Sequence, residues 1–281
     1  MKQIIVMLFI SLFVLPALSD AAPVRLNVWP GLAPGEIDSK PGHPDKDTSG
    51  NIIRMADITG PWMEIYRPEG KGSHPAVMVM PGGGYYILAD DLEGTEIAKW
   101  LNSCGYVAAV LRYRVPNKRT GALQDAQRAL STLRANAGKY GIDPHHLGVL
   151  GFSAGGHLTV KVSCDYDKRA YTPIDKIDKV SCRPDFALPI YPAYLINEKK
   201  EINSDVQPHA GMPPMFLMQT EDDSWYCVSE YSRALDKVGV KNRLVTYPKG
   251  GHGYGIRAGV DQPVHAWPKE AARWIAEQVK K

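Results

Sequence analysis

Seven short apolar runs, separated by stretches of helical spacing, constrain this sequence more than any other feature. They cover 63–66, 76–80, 106–111, 147–151, 186–191, 215–219 and 242–247. Runs such as Ala76-Val77-Met78-Val79-Met80 are apolar at every position, as strands covered on both faces require. Between them, Leu123, Ala126, Leu130, Leu133 and Ala137 recur at three- and four-residue steps, predicting one helix over about 120–138. Further helices are predicted over 93–101, 154–164, 228–238 and 268–279. Such alternation implies a mostly parallel central sheet inside a three-layer α/β/α sandwich. Residues 23–54, rich in Pro, Gly and Asp, lack periodicity and read as an extended arm over the surface. With no internal linker, 23–281 is expected to be a single domain.

Composition narrows the function classes. The chain has 281 residues, 44% hydrophobic and 22% charged, which excludes disorder, collagen-like repeats and a polytopic membrane protein. A net charge of +3 is too balanced to imply a nucleic-acid or membrane-surface partner. At the start, Lys2 precedes an apolar run over 4–18 and then small residues, the layout of a secretory signal. Cleavage is expected after Ser19, Ala21 or Ala22, leaving a periplasmic or secreted protein with no membrane anchor. Export would permit bridges among Cys104, Cys164, Cys182 and Cys227. The favoured pair, Cys164 and Cys182, brackets a short polar stretch. No CxxC or Cys/His cluster of zinc spacing occurs, so no metal is expected.

Four of the predicted strands end in residues that carry chemistry. Gly151-Phe152-Ser153-Ala154-Gly155-Gly156 lies between a strand and a helix, where flanking glycines permit the tight turn that exposes a nucleophilic hydroxyl. An N-capping serine is the plainer alternative. Pro81-Gly82-Gly83-Gly84-Tyr85 would bring N–H groups close to a ligand, so Gly83, Gly84 and Ala154 are the expected oxyanion donors. A phosphate-binding loop is disfavoured, because no G-x-x-x-x-G-K-[ST] occurs. Asp222 or Asp223, after the run over 215–219, could orient an imidazole. Gly250-Gly251-His252-Gly253 gives His252 the freedom a general base needs. The order Ser153, Asp223 (or Asp222), His252 is that of α/β-hydrolases and needs no cofactor. Tyr85, Tyr86, Tyr191, Tyr194, Trp225 and Tyr254 also follow strand ends; Tyr85, Tyr191, Trp225 and Tyr254 are the expected substrate-binding set.

The glycine loop, Glu93-Gly94, Leu111-Arg112-Tyr113-Arg114-Val115-Pro116, Asp125-Ala126-Gln127-Arg128-Ala129, Gly151 to His157 and Gly250 to Gly255 occur together. In combination the chain resembles bacterial exported carbohydrate esterases of the acetyl xylan esterase and feruloyl esterase type. The resemblance spans about 27–280, including Trp29-Pro30-Gly31 in the arm. It implies an α/β-hydrolase fold and hydrolysis of O-acetyl groups on plant-type polysaccharide or oligosaccharide. It also implies that the acid is the second of the paired aspartates, Asp223. Ser224-Trp225-Tyr226-Cys227 departs from the short turn usual after that pair. Competing expectations are a feruloyl or general short-chain esterase, a peptidase, and a non-catalytic binding protein on the same scaffold.

Overall fold

The computed structural model describes residues 22–280, so residues 1–21 of the expected signal segment lie outside the described residues. Its strands are β1 (Val24–Asn27), β2 (Pro41–Pro44), β3 (Arg54–Ile58), β4 (Trp62–Tyr66), β5 (His74–Met80), β6 (Leu88–Ala89), β7 (Val107–Arg112), β8 (Ile142–Phe152), β9 (Ala187–Ile190), β10 (Met215–Thr220) and β11 (Asn242–Tyr247). Eight form the main sheet in the order β1-β4-β7-β5-β8-β9-β10-β11. From β7 to β11 every neighbouring pair is parallel, and β4 runs against both of its neighbours.

Period-two alternation divides the buried side chains between two core layers. Ala76, Met78 and Met80 of β5 join Val107, Ala109 and Leu111 of β7 and Leu147 and Val149 of β8 on one face. The helices α2 (Arg119–Ala135), α4 (Ala154–Cys164) and α5 (Val228–Lys237) cover that face with Leu130, Leu158, Tyr231 and Leu235. Val77, Val79, Val110, Leu150 and Phe152 point the other way, against α1 (Glu96–Ser103) and α6 (Trp267–Gln278) through Ile97, Leu101, Trp267 and Ile275. A one-turn helix, α3 (Ala137–Tyr140), separates α2 from β8. This is the expected α/β/α sandwich around a mostly parallel sheet.

Three expectations need correction. First, the N-terminal segment is not only an arm. β1 pairs antiparallel with β4, from Val24 opposite Ile65 to Asn27 opposite Trp62, while β2, β3 and β6 form a small second sheet. Edge strands this short, with mostly exposed side chains, leave no apolar run to read. The segment is anchored by Trp29, whose indole N–H donates to the buried carboxylate of Asp125 at 2.8 Å. Second, the helix expected over 93–101 begins as a π turn, Asp91–Thr95, before α1. Third, Cys164 and Cys182 are not bridged, and Cys104 and Cys227 are also free. The Cys164 thiol packs beside Met212 and the Tyr231 hydroxyl, while Cys182 donates to the Tyr166 carbonyl. Burial pushes the Cys164 thiol up to about 12.

Candidate active site

A tight backbone turn joins β8 to α4. Ser153 has φ 50° and ψ −116°, outside the ordinary range for an L-residue. Its N–H donates to Ile190, and its carbonyl accepts from His157 and Ala193, so neighbouring elements hold the strained conformation. Glycine is required on both sides by close approach. A Cβ on Gly155 would lie 2.0 Å from the Met80 carbonyl oxygen, and one on Gly151 would lie 2.1 Å from that of Gly155. Ala154 opens α4, where the first N–H groups have no intrahelical acceptor and the helix dipole favours negative charge.

Beside this turn lies the glycine loop after β5. A Cβ on Gly82 would fall 2.9 Å from the Ser153 Cβ, so the loop passes directly alongside that side chain. The Gly82 N–H is taken by the Glu93 carboxylate at 2.7 Å. The Gly83 carbonyl accepts from the N–H groups of Tyr86 and Ile87. In a trans peptide the following N–H points oppositely, which turns the Gly84 N–H away from that closure. Gly83 has φ +128° and Gly84 φ +66°, which an L-side chain rarely adopts.

Ser153, His252 and Asp223 meet at the carboxyl ends of three strands. The Ser153 Oγ and His252 Nε2 are 2.7 Å apart, and His252 Nδ1 is 2.7 Å from Asp223 Oδ2. The Asp223 side chain is fully buried, whereas 27% of the His252 side chain is exposed. Burial opposes ionisation of Asp223, but bonds from His252, the Gln219 amide and the Trp225 N–H outweigh it and hold the carboxyl below its ordinary value. Asp222 occupies a different place. It is exposed and accepts from Gly251 N–H at 2.9 Å and Gly250 N–H at 3.3 Å, gripping the backbone just before His252. The two aspartates thus face opposite sides of one turn.

The aromatic expectations divide. Tyr85 and Tyr191 are buried, at 2% and 0% exposure, and their hydroxyls are committed within the protein, so neither offers a stacking face. The Tyr85 hydroxyl meets His157 Nδ1 at 2.7 Å, and His157 Nε2 meets Asp205 at 3.2 Å. Tyr191 donates to Glu93 and packs on the His252 ring at 5.1 Å between centroids. Amphipathic rings allow either fate, and here the strand ends turn them inward. Tyr254 is half-buried, edge-on to Tyr191 at 4.6 Å. Trp225 is 49% exposed and stands edge-on to Tyr194 at 5.3 Å, while Tyr86 is also exposed. The Arg119 guanidinium lies over the Tyr194 ring, 4.3 Å from its centroid.

Sequence reasoning assigns no role to Gln219, to Glu93, to the grip of Asp222 on the backbone before His252, or to Trp267, whose indole N–H donates to the Gly255 carbonyl at 2.9 Å. Gln219 carried a readable signal, a polar residue within an otherwise apolar run. His145 and His146 stay apart from this site. They line a hollow of about 600 Å³ at the opposite, amino end of the strands.

The BD-FAE family model matches residues 63–182. The acetylxylan esterase of Xylanibacter ruminicola is 28% identical over 233 residues, 73% of this chain and 46% of that protein. The endo-1,4-beta-xylanase B of Butyrivibrio fibrisolvens is 29% identical over 208 residues, 64% of this chain and 32% of that protein. The chain therefore spans less than half the length of either relative. The solved structure of an acetyl ester-xyloside bifunctional hydrolase from Caldicellulosiruptor lactoaceticus superposes with a TM-score of 0.75. It is 30% identical, with 92% of this chain and 98% of that one covered.

Proposed function

The chain belongs to the carbohydrate esterases of the α/β-hydrolase superfamily, and on that premise we propose that it hydrolyses O-acetyl esters of plant-type polysaccharide or oligosaccharide through Ser153, His252 and Asp223. The observation that most supports this reading is the continuous hydrogen-bonded chain from Ser153 through His252 to Asp223. In the proposed reaction His252 Nε2 takes the Ser153 proton as Oγ attacks the ester carbonyl carbon. The N–H groups of Ala154, Gly83 and Gly84 receive the developing oxyanion. His252 then returns the proton to the departing sugar oxygen, leaving acetyl on Ser153. Water, deprotonated by the same imidazole, attacks the acyl carbonyl and releases acetate and the free hydroxyl. Asp223 holds the Nδ1–H tautomer and stabilises the imidazolium formed in each half-reaction.

The substrate reading draws on the relatives whose names include acetylxylan esterase and acetyl ester-xyloside hydrolase. Exposed Trp225 and Tyr86, with Tyr194 between the glycine loop and the Asp223 turn, would give a sugar chain aromatic surface beside Ser153. Acetate release from acetylated xylan is expected to exceed ferulate release from feruloylated arabinoxylan. Faster turnover of octanoate esters than of any carbohydrate ester would overturn the substrate assignment. Failure to cleave p-nitrophenyl acetate would overturn the esterase itself.

Export and domain organisation belong to the same reading. Residues 1–22 act as a cleaved signal, and 23–281 form one hydrolase domain with its arm. The apolar run after Lys2 supports the first, and one eight-stranded sheet drawing strands from Val24 to Tyr247 supports the second. Among the described residues no helix is long and apolar enough to cross a membrane. N-terminal sequencing of the exported protein is expected to begin at Asp20, Ala22 or Pro23; an intact Met1 in that fraction would overturn the signal.

A further inference from the structure

Glu93 is a carboxylate that the acyl-transfer steps do not use, yet it is buried beneath them at 3% exposure. It occupies the middle of the π turn Asp91–Thr95, an irregularity that recurs at functional positions in other helices. From that turn the side chain reaches two loops together. Its Oε2 accepts the Gly82 N–H at 2.7 Å, and its Oε1 accepts the Tyr191 hydroxyl at 2.8 Å. The Tyr191 oxygen in turn accepts the Gly255 N–H at 2.9 Å. One end of this chain thus fixes the backbone beside Ser153, and the other fixes the loop that carries His252.

We propose that Glu93 is a positioning residue that sets the spacing between the glycine loop and the His252 loop, through the Gly82 N–H on one side and the Tyr191 hydroxyl on the other. The inference rests on the proposed function, in which those loops supply oxyanion donors and general base. The residue type follows from the partners. The Gly82 N–H and the Tyr191 hydroxyl both donate to it, and the two carboxyl oxygens give one side chain a separate acceptor for each. A glutamine of the same shape would present its NH₂ to one of them. Burial without compensation would be costly, and it does push the Glu93 carboxyl above its ordinary value. The bonds from Tyr191 and Gly82 act in the opposite direction. Gly94 completes the device by letting the turn close on the glycine loop: a Cβ there would lie 3.3 Å from the Pro81 ring.

The test is steady-state kinetics of Glu93→Gln, Tyr191→Phe and the double variant on p-nitrophenyl acetate, with Ser153→Ala in parallel and thermal melting of each. Glu93→Gln is expected to lower kcat by about 100-fold, the effect of a displacement near 1 Å at reacting groups, with KM changed less than about threefold. Tyr191→Phe, which keeps the ring against His252, is expected to lose about tenfold in kcat, since one hydrogen-bonded link of the chain is gone. Because both act through one chain, the double variant should fall no further than Glu93→Gln alone. Multiplicative losses in the double variant, or a KM rise at unchanged kcat, overturn the proposal. If Glu93→Gln does not fold, Tyr191→Phe decides alone, and an unchanged kcat there overturns it. Full kcat in Glu93→Gln beside an inactive Ser153→Ala sinks the positioning role only. Turnover surviving in Ser153→Ala sinks the proposed function itself.

Discussion

The loops carrying Ser153 and His252 meet at one hydrogen bond but are built in contrasting ways. Ser153 lies at the centre of the sheet, directly after β8, which runs between β5 and β9, and every residue of the following α4 except Lys161 is buried. His252 follows β11, the edge strand, in which no residue is fully buried. Packing and backbone contact hold the first. The second is held by side chains reaching out to it: Thr220 donates to the Gly251 carbonyl, and Asp222 accepts from Gly250 and Gly251. Trp267 donates to the Gly255 carbonyl, and Arg257 pairs with Asp91 and Glu96. Steric necessity therefore governs the serine turn, and a handful of polar bonds governs the histidine loop.

Four predictions test this contrast. The largest effect is expected from Ser153→Ala, which should lower kcat on acetyl esters on the order of 10⁶-fold, as loss of a nucleophile does elsewhere. Active-site titration with a serine-directed phosphonate, labelling the parent and not the variant, checks it. Next, Asp223→Asn should cost about 10⁴-fold in kcat through the wrong imidazole tautomer. Asp222→Asn, which loosens only the backbone before His252, should cost less than about tenfold. The opposite ranking would make Asp222 the orienting acid. Third, Gly155→Ala should destabilise by about 1–3 kcal/mol in urea unfolding because the new Cβ meets the Met80 carbonyl. At Gly253 nothing lies within 4 Å, yet φ is +76°, so Gly253→Ala should cost about 1–2 kcal/mol from backbone strain alone. Equal activity loss per unit of stability in these two glycine variants would show that the serine turn and the histidine loop are held alike.

The smallest effect concerns pH. Asp223 is held below its ordinary value, so the folded state binds fewer protons there than the unfolded chain. Its contribution to stability is present above the unfolded value of about 4 and is lost as pH falls through the lower folded value. Melting temperatures of parent and Asp223→Asn should therefore converge as pH drops below about 4. A gap that widens on acidification would show the opposite linkage.

What was legible depended on whether the physical requirement was local. Strands β5, β7, β9, β10 and the second half of β8 announce themselves because burial on both faces leaves apolar runs. β8 begins at Ile142 through Asp143-Pro144-His145-His146, which are partly exposed and carry no such run. β1, β2 and β6 carry none either, being two to four residues long and mostly exposed or half-exposed. The same rule applies at the site. The turns that carry Ser153 and His252 stand out in the sequence because close backbone approach and positive φ call for glycine neighbours, which the sequence displays. The paired aspartates were not separable, since adjacent carboxylates differ only in which one the turn rotates inward. Glu93 passed unassigned because its partners lie 11 and 98 positions away and are an N–H and a hydroxyl that no motif marks. Tyr85 and Tyr191 resist assignment from sequence because a tyrosine after a strand fits either a rim or an interior until its hydroxyl finds a partner, here His157 and Glu93.

The bond from Trp267 to the Gly255 carbonyl has a consequence for folding. The indole that clamps the histidine loop opens α6, far along the chain from Ser153. The serine turn is held through Ile190 of β9, His157 of α4 and Ala193, and none of these contacts involves α6. Undocking of α6 would therefore release the histidine loop while leaving the serine turn in place, so hydrolytic competence is tied to the docking of that helix.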